Sequence, residues 1–225
     1  MIYVICSSKK WFIKYSSNKL RNKNFTFIKK KEKLNLKYLK KIKPKFIFFT
    51  HWSYKVPTNI INSFNCINFH VAPLPFGRGG SPIQNLIIRG FKKSPLCAIK
   101  MIEKLDAGPI ILKKKLDLDG NLEGIFKRMT KIIEMMIFEI IKKLPKSNIQ
   151  KGKIYNFKRI KPKESNLVSE KRIISVFNKI RMLDSDEYPR AFIKLNGLKI
   201  IFNDVKKINK NTLKAKCIIK KLSNT

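Results

Sequence analysis

Short apolar runs without alternation recur through the first half of the chain, at 2–6, 25–28, 45–50 and 66–69. Such runs suit strands covered on both faces, as in a parallel sheet. Between them, 10–20 and 33–42 carry helical patterning, and the second places Leu34, Leu36, Leu39 and Ile42 on a rough stripe that Pro44 ends. Two further strands are expected at 96–102 and from 109 to 112, around a loop at 102–108. The cleanest periodicity covers 122–144, where Leu122, Ile125, Phe126, Met129, Ile132, Ile133, Met136, Ile137, Ile140 and Ile141 form one stripe. That helix belongs in a core, with its methionines as space-fillers. From 145 to 164 the chain turns to Lys, Pro and Asn, which marks a boundary. A helix over 170–183 then puts Ile173, Ile174, Phe177, Ile180 and Leu183 on one face, and two strands follow about Asn196-Gly197, a strong hairpin signal. The pattern predicts an α/β fold, a mostly parallel sheet flanked by helices over 1–150, followed by a small α+β subdomain over 151–225 with a helix and a hairpin.

The stretch from Cys66 to Pro82 interrupts this pattern most sharply. A buried strand runs into Pro73, Pro75, Gly77, Gly79 and Gly80, none of which continues a strand or a helix. Asn68 and His70 alternate on the strand, so they project to the same side near its carboxyl end. In open α/β sheets that is where the ligand crevice lies. Ser81 is expected to cap the next helix, with Pro82 in its first turn and Gly90 closing it.

Composition narrows the picture. With 225 residues the chain is long enough for a sizeable core. A formal charge of +37, from 51 Lys and Arg against 14 Asp and Glu, taken alone suggests nucleic acid, acidic lipid or a phosphorylated substrate. The lysines are spread through nearly every segment, however, and read as a solvated basic surface rather than a local patch. Cys6, Cys66, Cys97 and Cys217 show no CxxC spacing and read as small buried hydrophobes in a reducing compartment. The histidines, His51 and His70, have no second ligand at a metal-binding interval, so no metal is expected. No apolar run has the length to cross a bilayer, and MIYVIC is too short for a signal core, so a cytoplasmic location is expected. The turn after the first strand lacks GxGxxG, and no Lys-Ser/Thr follows Gly77-Arg78-Gly79-Gly80, so neither a dinucleotide nor a phosphate loop is indicated.

Asn68-x-His70, followed by Leu74-Pro75, Arg78-Gly79 and Pro82, resembles the signature of the formyltransferases that use 10-formyltetrahydrofolate. In that family a catalytic aspartate follows the histidine at a set distance, with a glycine two positions later, and Asp106 in Lys104-Leu105-Asp106-Ala107-Gly108 fits both features. The family usually has Pro-Ser after the histidine; this chain has Val71-Ala72. The resemblance runs from about 46 to 202 and implies a Rossmann-like core with Asn68, His70 and Asp106 as catalytic residues. It also implies that the loop at Trp52, Ser53, Tyr54 and Val56, together with Ile102 and Leu105, holds the folate. Formyl transfer needs an uncharged amine to attack a carbonyl, a stabilised oxyanion and a proton passed to the leaving nitrogen. His70 suits proton transfer, Asn68 can donate to the oxyanion, and Asp106 can orient the imidazole.

The resemblance is to the short subgroup acting on amino sugars, carried by His51-Trp52-Ser53, by Lys158, Arg159, Pro162 and Ser165, and by Tyr188-Pro189. The acceptor it implies is a nucleotide-linked aminodeoxy sugar, a 4-amino sugar of surface-glycan synthesis. Arg78 is expected to pin its loop and, with Lys158, Arg159 and Tyr188, to be a candidate substrate contact. The stretch after Ser165 is short for the larger nucleic-acid domain of the enzymes acting on charged tRNA. Open alternatives are methionyl-tRNA or glycinamide ribonucleotide as acceptor and, outside enzymes, a non-catalytic basic module binding nucleic acid. A homodimer is the assembly to test, with no membrane partner expected.

Overall fold

The computed structural model describes residues 1–222 of the chain. A six-stranded sheet is ordered β2 (Phe25–Ile28), β1 (Tyr3–Cys6), β3 (Phe46–Phe49), β4 (Cys66–Val71), β6 (Lys93–Lys100), β7 (Ile110–Asp117). The first four run parallel and the last two join antiparallel, the mostly parallel α/β sheet that the apolar runs predict. Those runs do not alternate because both faces are covered. Ile5 and Phe48 enter one apolar cluster, while their neighbours Val4, Cys6, Ile47 and Phe49 enter another on the opposite face.

Helices α1 (Lys10–Tyr15), α2 (Leu36–Ile42) and α3 (Thr58–Ser63) connect the parallel strands. The long helix α5 (Leu122–Lys143) lies against β7 and α1 and buries Ile125, Met129, Ile133, Met136, Ile137 and Ile140 in the larger cluster. Asn121 caps it, its side-chain oxygen accepting from the Gly124 amide at 2.9 Å, which satisfies one of the free N–H groups of the first turn. Leu144 ends it in the left-handed region at φ 46°.

Residues 151–222 are tied to the rest at several points. Strand β8 (Tyr155–Phe157) pairs in parallel with β5 (Phe76–Gly79), and Leu167, Ile180, Met182, Leu183 and Ala191 enter the same cluster as α5. Helix α6 (Ile173–Arg181) packs on a three-stranded antiparallel sheet of β9 (Phe192–Leu195), β10 (Leu198–Lys207) and β11 (Leu213–Lys221). The β9–β10 turn is the expected Asn196-Gly197 hairpin, with φ of 47° and 73° at its two positions, the left-handed pair that a tight right-twisted hairpin demands.

Several expectations are corrected. The helix expected over 10–20 stops at Tyr15, where Ser16 turns extended and its hydroxyl donates to the Ile13 carbonyl at 2.9 Å; a 3-10 turn, Asn18–Arg21, follows. Ser81 does not cap α4 (Pro82–Ile88). It sits at φ 48° with no cap bond, and its hydroxyl instead accepts from the Ile160 amide at 3.1 Å. The helix expected from 170 begins at Ile173, and β11 adds a strand that the lysine-rich sequence did not suggest. Cys6, Cys66 and Cys97 are buried, but Cys217 is exposed on β11. Among the described residues no helix is long and apolar enough to cross a membrane.

Ile137→Ala tests the stripe. The side chain is fully buried, so the substitution leaves a cavity and should lower the unfolding free energy by about 2–5 kcal/mol in urea denaturation.

Candidate active site

Asn68 and His70 stand on the same side of β4, as their alternation requires, with Ile99 and Cys97 of β6 as ladder partners. The chain leaves β4 and returns as β5, where the Gly77 carbonyl lies 2.7 Å from His70 Nε2. A carbonyl only accepts, so Nε2 carries a hydrogen. Nδ1 then faces Asp106 Oδ2 at 3.4 Å, and an attractive contact there needs one proton between the two groups.

Asp106 arrives from the loop after β6, where it holds φ 50°. Two positions on, Gly108 lies so close to its neighbours that a Cβ would fall 1.7 Å from the Lys100 carbonyl oxygen. The glycine after Asp-Ala is therefore a space requirement for bringing the loop back against β6. The carboxylate is 8 % exposed, and both oxygens accept hydrogen bonds, Oδ1 from Asn68 Nδ2 at 3.1 Å and Oδ2 from the Gly79 amide at 3.0 Å. Gly79 has no room for a side chain either, since its φ is 102° and a Cβ would stand 2.6 Å from the Phe157 carbonyl. Asn68, His70 and Asp106 thus form one cluster, with Asn68 hydrogen-bonded to Asp106, His70 Nδ1 3.4 Å from the same carboxylate, and a second Asn68 N–H left for another acceptor.

A cleft of about 140 Å³, open to solvent, begins at Asn68 and Asp106. Its walls include Trp52, Tyr54, Val56, Ile102 and Leu105, five of the residues expected to hold a cosubstrate. Trp52 and Tyr54 meet edge to face at 5.3 Å, and Trp52 Nε1 is buried with no partner. Ser53 is placed elsewhere: its amide and hydroxyl are tied to the Ser8 hydroxyl at 3.0 and 2.9 Å. Arg78 is 7 % exposed and pinned, its Nε and Nη2 donating to Gln150 Oε1 at 3.1 and 2.8 Å. Lys158 and Arg159 lie exposed on the strap beside α4, where the Lys158 carbonyl accepts from Asn85. Tyr188 packs toward Phe126, with Lys9 Nζ 6.0 Å from its ring centre. None of these four lines the cleft. Gln150 went unremarked in the sequence, where a lone glutamine in a lysine-rich stretch carries no local signal. Among the described residues no cluster of three potential metal ligands occurs.

A family model described as "Formyl transferase" matches residues 2–131, more than half of the chain. The chain belongs to the formyl transferase family. A second model, "Methionyl-tRNA formyltransferase, C-terminal domain", matches residues 162–220. A methionyl-tRNA formyltransferase of Thermotoga maritima is 31% identical over 175 residues, which is 74% of this chain and 55% of that one. The chain thus spans about half the length of the curated relatives it matches. A solved methionyl-tRNA formyltransferase from Clostridium thermocellum superposes with a TM-score of 0.93 at 38% identity, covering 98% of this chain and 99% of its own. A sugar N-formyltransferase from a Shewanella species shares the fold at 16% identity, with a TM-score of 0.69 and coverage of 93% and 99%.

Next to Trp52 in the chain, His51 sits in the left-handed region at φ 56°, its ring 4.5 Å from that of Trp11 and its Nε2 buried without a partner. Burial, helped by the nearby Lys9 and His70, pushes its pKa down to about 3. The folded protein therefore keeps His51 neutral while the unfolded chain protonates it below about pH 6.5. Stability from this group is present above that pH and is lost as pH falls toward 3, at up to about 1.4 kcal/mol per pH unit. His51→Asn, which tolerates the same backbone, should flatten the fall in unfolding free energy between about pH 6 and pH 5; identical slopes in denaturant titrations would refute the assignment.

Proposed function

We propose that this formyl transferase moves a formyl group from 10-formyltetrahydrofolate to a primary amine, and that the amine is that of methionine carried on tRNA. The transfer rests on one observation above the others, the meeting of Asn68, His70 and Asp106 at the head of a cleft whose walls include the rings of Trp52 and Tyr54. The cleft suits the donor. The aromatic rings of Trp52 and Tyr54 on its wall suit a pterin or an aminobenzoyl ring.

In the reaction the acceptor nitrogen attacks the formyl carbon, forming a C–N bond and placing negative charge on the formyl oxygen. The second N–H of Asn68, the one not given to Asp106, can donate to that oxygen. The attacking nitrogen gives up one proton and N10 of the folate takes one as the C–N10 bond breaks. His70, with Nδ1 3.4 Å from Asp106 Oδ2, can serve that exchange, while the Gly77 carbonyl holds the ring's orientation through Nε2.

For the acceptor, the His51-Trp52-Ser53 loop and the Tyr188-Pro189 tail favour a nucleotide-linked amino sugar on sequence. Greater weight goes to the relatives named for methionyl-tRNA, which are 31% and 38% identical. The sugar enzyme, at 16%, carries the fold alone. The short tail does not count against tRNA either, because the Clostridium thermocellum chain is matched over 99% of its length.

Purified protein with 10-formyltetrahydrofolate should formylate methionyl-tRNA and leave a panel of aminodeoxy sugar nucleotides and glycinamide ribonucleotide unreacted. Turnover with a sugar alone would replace the acceptor, and turnover with none of them would favour a non-catalytic module. His70→Asn should lower kcat by about 10²–10⁴ with little change in thermal melting, and Asp106→Asn should lower kcat as much while also lowering the melting temperature, because its amide N–H must face the Asn68 or the Gly79 donor.

A further inference from the structure

We infer that Gln150 is a positioning residue that holds the Asp106 carboxylate in register with His70 by clasping two loops together. The inference rests on the formyl-transfer reading for its kinetic consequence and on geometry for its structural one. Gln150 Nε2 donates to both the Asp106 and the Gly108 carbonyls, each at 2.8 Å. Its Oε1 accepts from Arg78 Nε at 3.1 Å and Nη2 at 2.8 Å. Two N–H groups and two lone pairs are the whole capacity of a side-chain amide, so this one is saturated.

These bonds close a ring. Arg78 is followed by Gly79, whose amide donates to Asp106 Oδ2 at 3.0 Å, so the clasp grips Asp106 by its own carbonyl on one side and, through Arg78 and Gly79, by its carboxylate on the other. The residue it holds has φ 50°, a backbone state that persists only where the surroundings enforce it. The clasp is itself anchored. Asn148, two positions earlier, exchanges both backbone hydrogen bonds with Ile110 at 2.7 and 2.8 Å, fixing the segment to the start of β7. Gln150 reaches no reacting atom; it acts through Asp106.

The chemistry is specific to an amide. Glutamate has the same shape and would pair with the buried Arg78, yet when ionised it only accepts, and it would face two carbonyl oxygens. Gln150→Glu therefore keeps the Arg78 side and breaks the Asp106 side. Gln150→Asn keeps the amide but is one methylene short, and serves as the second variant should the first fold poorly.

Hydrogen exchange at the Gly79 amide reads the carboxylate directly and needs no turnover. In either variant it should speed up by about tenfold or more, while the Ser7 amide, bonded to Ile28 in the parallel ladder, keeps its rate. In the assay with the formyl donor, kcat should fall by about 10- to 100-fold with the donor KM within about threefold, and Gln150→Glu should add less than about threefold to Asp106→Asn in single-turnover measurements. Unchanged Gly79 exchange overturns the inference whatever happens to kcat, as does full additivity with Asp106→Asn. Should the wild-type protein turn over no acceptor, the formyl-transfer reading fails while the Gly79 measurement still decides the clasp.

Discussion

A carboxylate taken almost out of water has to be given partners, and the way Asp106 is supplied with them organises the site. Leaving such a group unmatched would cost several kcal/mol, far more than any one surface contact returns. Its donors come from β4 (Asn68) and β5 (Gly79), with the β4 imidazole of His70 alongside. Each donor places a demand on the chain elsewhere. Gly79 must be a glycine so that β5 can approach β8, and Gly108 must be a glycine so that the aspartate loop can fold back onto Lys100. Residues that never meet a substrate are thus set by the needs of one side chain.

The sheet makes these demands compatible. Antiparallel pairing of β6 with β4 aligns Ile67 with Lys100, so β6 ends beside the start of β4 and the following loop is delivered toward Asn68. The parallel strands on the other side bring the Trp52–Val56 loop to the same cleft. Covering both faces of β1 and β3 keeps this frame stiff, and the long stripe of α5 supplies much of that cover. The placing of the site's side chains in this sense depends on apolar burial well away from them.

Local patterns explain what could be read in advance. Unalternating apolar runs located the buried strands, the ten-residue stripe located α5, and Asn196-Gly197 located a hairpin whose two left-handed positions the residues themselves prefer. Asn68 and His70 stood out because two polar residues two apart end a buried strand, whereas Asp106 depended on a resemblance, since nothing local distinguishes it from an aspartate that starts a turn. Long-range bonds were invisible. Ser81 looked like a cap because its neighbours are a glycine and a proline, yet its hydroxyl is claimed by Ile160; Gln150 looked like surface, yet its partners lie 42 to 72 positions away. Cys217 shows the converse, an apolar-looking run on an exposed strand.

The positive charge, which read as spread evenly along the sequence, acquires a local shape in the last sheet. Ladder registration sets Lys194, Lys199 and Lys220 side by side across three strands, and sets Lys206 opposite Lys214. Cross-strand neighbours share a face, and like charges placed so destabilise the sheet. Asp204, paired with Lys216 at 3.0 Å, is an acidic group within this sheet that offsets them. An arrangement that repels itself is relieved by a long polyanion, which can neutralise several lysines at once and release their counterions, and much less by a single diphosphate. For the acceptor proposed above, this makes salt the informative variable: binding carried by such rows weakens steeply as ionic strength rises.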